Sequence, residues 1–148
     1  MQLELTHKVL YQIAEPVPQD EDITELYRDM LELMILNKGI GLAAPQIGIS
    51  KRLIVFRLGR IPYVIINPKI TKRKLGKMRS LEGCLSFPQT IPKRCQIKMS
   101  RDKQIVVEGF NQYWKPIRLK LRGLDSCVIQ HEIDHLNDIT IVKPGKNK

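Results

Sequence analysis

Cysteine is scarce and odd in number, with three thiols among 148 residues. The sequence opens Met1-Gln2-Leu3-Glu4-Leu5, with no basic stretch leading into an apolar core. Together these argue against a disulfide framework and a secretory signal, and point to a reducing, cytoplasmic setting. No apolar run approaches the roughly 20 residues that cross a bilayer, which excludes a membrane-spanning helix. Aromatic residues are few, three Phe and one Trp among them, and no nucleic-acid signature accompanies them, so base recognition has little support. Repeats, low-complexity tracts and long Gly/Ser linkers are also absent. One catalytic domain over residues 1–148 is therefore expected, since roughly 100–200 residues is the usual size.

What is present is ordinary in bulk, 43% hydrophobic and 27% charged, as in a globular protein. The charge is lopsided: 25 Lys and Arg against 15 Asp and Glu give a net +10. That predicts attraction to polyanions such as nucleic acid or a ribosome surface.

Ile23 to Leu36 reads as an amphipathic helix, with Ile23, Leu26, Met30, Leu33 and Met34 at helical spacing. Asp22 and Glu25 resemble a capping arrangement, and Lys38-Gly39 reads as the end. Short β-like runs follow at Arg52 to Leu58, Tyr63 to Asn67 before Pro68, and Gln96 to Ser100. The clearest alternation is Ile117 to Arg122, with one apolar and one basic face. Gly123 breaks it, and Leu124 to Asn137 returns to helical periodicity. The expected fold is α+β, with mixed or antiparallel β-sheets packed around a central helix. The basic tail Lys143 to Lys148 reads as frayed.

That last helix carries His131-Glu132-Ile133-Asp134-His135. Positions i and i+4 share one helix face, so both imidazoles can reach a single metal. Glu132 then stands beside the metal's open position, where a general base belongs. Apolar neighbours Cys127, Val128, Ile129 and Leu136 place the helix in the interior. The third ligand is not evident from this helix. Cys127 shares the face but lies about 6 Å back along the axis. Its short side chain cannot make a metal–sulfur bond of about 2.3 Å there, so packing or pocket lining suits it better. Cys95 lies in a Lys/Arg-rich stretch and draws no role. Cys84, in Glu82-Gly83-Cys84-Leu85-Ser86, pairs a flexible glycine with a thiol between polar residues and is the best candidate. A hydrolase with a Cys/His/His metal site is the proposal.

A third unusual segment, Gly39-Ile40-Gly41-Leu42-Ala43-Ala44-Pro45-Gln46, is superficially like a dinucleotide loop. A helix precedes it, however, and Pro45 interrupts the helix that should follow. Its small residues suggest backbone held close against a site, with Gln46 offering an amide.

Taken in order, these segments resemble the motifs of the peptide deformylase family. Gly39 to Gln46 matches Gly-x-Gly-x-Ala-Ala-x-Gln, Glu82 to Ser86 matches Glu-Gly-Cys-x-Ser, and His131 to His135 matches His-Glu-x-x-His. The likeness extends to Leu10 to Val17 and Ile65 to Pro68, nearly the whole chain. The resemblance implies one divalent ion, Fe²⁺ foremost, with Zn²⁺, Ni²⁺ or Co²⁺ as alternatives. It implies Cys84, His131 and His135 as ligands and Glu132 as base and proton shuttle. Gln46 and the backbone N–H of Leu85 are then the oxyanion donors. Ile40, Gly41, Glu82 and Gly83 fall along the substrate cleft, and Leu124, Cys127 and Val128 at a methionine pocket. The implied activity is removal of the N-formyl group from N-formylmethionyl nascent peptides, releasing formate, by an enzyme expected to be monomeric.

Two departures stand out. Asp138 occupies a position where the family commonly has glycine, which bears on the helix end more than on catalysis. Little follows the metal helix, so the chain looks like a minimal form lacking the C-terminal helix that many members use on the ribosome. The basic strand face Arg118, Lys120 and Arg122, or the patch Lys69, Lys72, Arg73, Lys74, Lys77 and Arg79, is the expected substitute. Two rival readings fit less well. A zinc endopeptidase draws its third ligand from downstream, where neither His nor Glu follows His135. A non-enzymatic ribosome- or RNA-binding scaffold has no need of every ligand, the base and the amide.

Overall fold

The structure, a computed structural model, describes residues 8–84 and 97–140. Leu85, Ser86, Cys95, Gln96 and the tail Lys143 to Lys148 fall outside the described residues, as do the expectations placed on them. Two helices and five strands follow in the order α1 (Thr24–Leu36), β1 (Gly41–Ala43), β2 (Leu53–Leu58), β3 (Ile61–Glu82), β4 (Ile97–Phe110), β5 (Pro116–Arg122) and α2 (Gly123–Leu136). The fold is α+β. The strands form one sheet in sequence order, and every pairing between them is antiparallel.

α1 forms where the apolar spacing predicts it and buries Met30 and Met34. Each such side chain contributes about 1.5–3 kcal/mol. The Asp22 carboxylate accepts the Thr24 N–H at 2.9 Å. At the other end Lys38 adopts a left-handed φ of 54°. Its N–H reaches Ile35 O at 3.0 Å, and Gly39 N–H reaches Met34 O at 2.8 Å. That is the paired closure of a helix terminus, made here with lysine where glycine is usual.

The strands are longer than their patterns suggest. β3 does not stop before Pro68 but continues through the Lys/Arg-rich stretch to Glu82, and β4 runs to Phe110. Alternation fails as a signal in this part of β3, because nearly every residue from Lys69 to Arg79 is exposed. Pro68 is tolerated because the register shifts between Ile66 and Lys69, a bulge where no ladder donor is needed. Two further shifts follow, between Ile70 and Lys72 and between Lys74 and Lys77, and the latter holds Leu75 and Gly76 at φ 66° and 72°. β1, a strand of only three residues, Gly41-Leu42-Ala43, escapes periodic reading altogether.

The central strands are covered on both sides. Ile54, Phe56, Ile65, Ile105, Val107 and Leu121 pack beneath Ile129, Ile133 and Leu136 of α2. Leu53, Val55, Val64 and Ile66 pack on the opposite face with Met30 and Met34. Gln130 clamps α2 to β4: its Oε1 accepts Asp102 N–H at 2.9 Å and its Nε2 donates to Asp102 O at 2.9 Å. The helix's last carbonyl, on Leu136, accepts Ala14 N–H at 2.9 Å and an Arg52 guanidinium N–H at 2.9 Å. Among the described residues, no helix is long and apolar enough to cross a membrane.

Candidate metal centre

Two elements far apart in sequence deliver the donors. β3 ends at Glu82 and carries Cys84 just beyond it, while α2 carries both histidines on its inward face. The donor atoms of Cys84, His131 and His135 all lie within 4.8 Å of one another. Cys84 Sγ stands 3.3 Å from His135 Nε2, which stands 3.3 Å from His131 Nε2. A tetrahedral ion with bonds of about 2.0–2.3 Å requires donor separations of about 3.3–3.6 Å, and both of these separations meet it. Cys127, although buried beside the cleft, is not in the cluster.

Behind the donors lies a buried charged network. His131 Nδ1 lies 2.9 Å from Glu82 Oε1, which leaves Nε2 for an ion. A carboxylate behind a ligating histidine fixes its tautomer and orientation. Arg101 grips the same carboxylate, Nε to Oε2 at 2.9 Å and a terminal N–H to Oε1 at 2.7 Å. It also pairs with Asp134 at 2.5 Å. Burial alone raises the Glu82 carboxyl, but hydrogen bonds from Arg101 and His131 outweigh it and bring the pKa down to about 2.

The two imidazoles are driven apart. Burial lowers His131, yet hydrogen bonds to Cys84 and Glu82 and the nearby Glu132 charge raise it to about 10. His135 falls well below the ordinary value through burial, then through the charges of His131 and Arg101.

Glu132 lines the cleft that the donors open into and is 5% exposed. Burial chiefly pushes its carboxyl up to about 7, with the His131 charge opposing. Its Oε2 has no hydrogen-bond partner among the described residues. Gly41 allows its approach: a Cβ there would stand 2.6 Å from Glu132 Oε1. Gln46, in a 3₁₀ turn at Ala44–Ile47, is buried; its Oε1 accepts Ala43 N–H at 2.8 Å and its Nε2 points at Cys84 Sγ, 3.5 Å away.

All this opens into a cleft of about 450 Å³. Ile40, Gly41, Gln46, Glu82, Gly83, Cys84, Leu124, Cys127, Val128, His131 and Glu132 line it, with Lys38, Gly39, Ser80 and Leu81. Leu124 is 67% and Ile40 41% exposed, so the mouth is apolar and open. The Glu82 side chain is turned to Arg101 and His131. Sequence reasoning missed Arg101 and Asp134 entirely. The available signal was a charged run, Arg101-Asp102-Lys103, directly before the apolar stretch Ile105-Val106-Val107 of the same strand.

A model of the polypeptide deformylase family matches residues 3–148. The peptide deformylase of Carboxydothermus hydrogenoformans is 38% identical over 146 residues, 98% of this chain and 92% of that protein. Among solved structures, the enzyme of Vibrio parahaemolyticus bacteriophage VP16T, in complex with actinonin, superposes with a TM-score of 0.87. It is 40% identical, over 95% of this chain and 99% of that one. Peptide deformylase from Thermotoga maritima gives 0.87 at 35% identity, covering 97% of each chain.

Proposed function

The chain belongs to the polypeptide deformylase family, and from that premise we propose that Cys84, His131 and His135 hold one divalent ion while Glu132 moves the proton. The protein is a metal-dependent hydrolase that removes the N-formyl group from newly made polypeptides. One thiolate with two imidazoles is a borderline-soft set that suits Fe²⁺, our assignment, and also accepts Zn²⁺, Ni²⁺ or Co²⁺.

When bound, a divalent ion supplies a Lewis acid that makes hydroxide available near neutral pH and draws charge from a carbonyl. The chain's own groups do the rest. Glu132, whose Oε2 has no hydrogen-bond partner among the described residues and whose pKa is raised to about 7, suits a base that takes a proton from water and returns it to the departing amine. The products are formate and a free N-terminus. Gln46, its carbonyl end pinned by Ala43 N–H, presents Nε2 to the formyl oxygen. The backbone N–H of Leu85 is assigned as the second donor from the motif. Losing one such donor costs about 10²–10³ in turnover. Ile40, Gly41 and Gly83 form the walls that align the peptide, and Leu124, Cys127 and Val128 receive the methionine side chain. Glu82 and Arg101 act through His131.

The convergence of three donor atoms within 4.8 Å, beside a buried carboxylate, carries this reading. Its test is formate release from a formyl-Met peptide by anaerobically prepared, Fe²⁺- or Ni²⁺-loaded protein. Glu132→Gln is expected to keep the metal and lose turnover, and Cys84→Ser to lose the metal. Turnover by metal-depleted protein at the loaded rate would overturn it. The same proposal takes residues 1–148 as one monomeric catalytic domain, supported by two apolar clusters sharing a single sheet. It places the domain in the cytoplasm, where the thiols of Cys84 and Cys127 stay reduced, near the ribosome.

A further inference from the structure

The sheet face opposite α2 carries an ordered lattice of cations. Paired residues on neighbouring strands share a face, so the register fixes three rows across β3, β4 and β5. They are Lys69–Glu108–Arg118, Lys72–Val106–Lys120 and Lys74–Gln104–Arg122. Lys69, Lys72 and Lys74 therefore line one side of β4, and Arg118, Lys120 and Arg122 the other. The face is the one on which Val64 and Ile66 meet α1. The strong contacts of α1 are with β1 and β2, at the opposite edge of the sheet from β5.

Spacing follows from strand geometry. Successive rows stand about 6.8 Å apart, and β3 and β5 flank β4 at a mutual distance of about 9.5 Å. All six cations are exposed. Val106 and Gln104, between them, are only 3% and 2% exposed. Aliphatic stems of flanking lysines and arginines can cover such a row while their charged heads remain in water. The single acid in the lattice, Glu108, pairs with Arg118 at 3.3 Å. Among the described residues, no ion pair engages the other five. No aromatic side chain stands in the three rows, so the array can grip a backbone but cannot stack on bases.

We propose that this face binds the phosphate backbone of folded RNA. Two cation rows about 9.5 Å apart on an exposed face suit contacts to a phosphodiester backbone, and an RNA helix is recognised largely through its shape, 2′-hydroxyls and phosphates. The choice of RNA rests on the reading above, since the substrate is a chain still carried by an RNA-rich particle. The cleft opens on the α2 side, so the bound RNA leaves it unobstructed.

The test is fluorescence anisotropy of a labelled RNA duplex of about two helical turns, titrated with metal-loaded full chain. Salt is varied from about 50 to about 200 mM KCl, and log K should fall linearly with log salt. Lys72→Glu with Lys120→Glu is expected to weaken binding about tenfold to a hundredfold, because each lost phosphate contact removes about 0.7–0.9 log units per decade of salt. Arg57→Glu with Arg60→Glu, the same change in net charge placed at the exposed end of β2 and in the turn that follows it, should weaken it less than about threefold. Hydrolysis of a short formyl-Met peptide should be unchanged in both variants, which separates this proposal from the assignment of the active site. Equal losses in the two variants, or no RNA binding at 100 mM KCl, would overturn it. So would retention of RNA affinity by Lys72→Glu/Lys120→Glu together with loss of binding to phosphatidylserine vesicles, which assigns the face to a membrane.

Discussion

Gly41 and Glu132 are locked together by contact: a Cβ on Gly41 would stand 2.6 Å from Oε1 of Glu132 and 2.9 Å from its Cγ. The glycine is required by the space the carboxylate occupies, and its backbone φ is not the cause. Gly41→Ala is therefore expected to push Glu132 out of line while leaving the donor cluster alone. A displacement of about 1 Å at a reacting group costs about 10² in rate. We expect kcat/KM on a formyl peptide to fall by about that factor with metal content unchanged. Coupled loss of metal would show that the glycine supports the ligands instead.

Arg101 is 6% exposed at its side chain and neutralises Glu82, 8% exposed, together with Asp134. Removing one partner of a buried pair strands the other charge, at about 3–5 kcal/mol. Arg101→Met should destabilise by that amount in urea unfolding at pH 7. Glu82→Gln, which leaves Arg101 its contact with Asp134, should cost less. A loss under about 1 kcal/mol for Arg101→Met, the range of exposed pairs, would mean that solvent reaches the network.

Asp102 sits in β4 with its carboxylate 2.8 Å from Lys77 Nζ and 2.5 Å from an Arg73 guanidinium nitrogen. Burial raises its pKa, but the hydrogen bonds from Lys77 and Arg73 prevail and hold it below the ordinary 3.8. The folded state thus binds this proton more weakly than the unfolded state. Its contribution is whole above pH 3.8 and is lost as pH falls through the depressed value. Urea midpoints measured at neutral pH and at steps below pH 4 should decline, and Asp102→Asn should flatten that decline. A parallel decline in the variant would assign the acid limb to other carboxylates.

A divalent ion that binds the folded chain and not the unfolded one stabilises it by mass action. At about a hundred times its dissociation constant, the gain is about 2.7 kcal/mol. Added Ni²⁺ should raise the thermal midpoint of metal-stripped protein, and Cys84→Ser should abolish most of the rise. An equal rise in the variant would place the ion elsewhere.

Local signals carried the parts of the molecule whose physics is local. α1 was legible because Met30 and Met34 repeat at helical spacing against one face. The donor pair of α2 was legible because a four-residue interval has a single geometric meaning on a helix. β5 was legible because Ile117, Leu119 and Leu121 alternate with exposed cations. The second half of β3 was not, since its pairing with β4 is supplied by the backbone while its side chains face water. The partnership of Glu82 with Arg101 joins residues 19 apart on strands whose register no periodicity reveals. Gly41 read as a small residue near a site. Its reason, the carboxylate of Glu132, lies on α2 and is visible only once the fold brings the two together.

The end of α2 has a consequence for how the enzyme comes into being. Leu136, next to a ligand, hands its carbonyl to Ala14 and Arg52, residues a ribosome would deliver long before the histidines. The histidine helix is thus tied off by residues made well before it, and its thiol partner is made in between. Activity should switch on abruptly, once α2 has been made and can fold, and a product cut short before His131 should be unable to retain an ion at all.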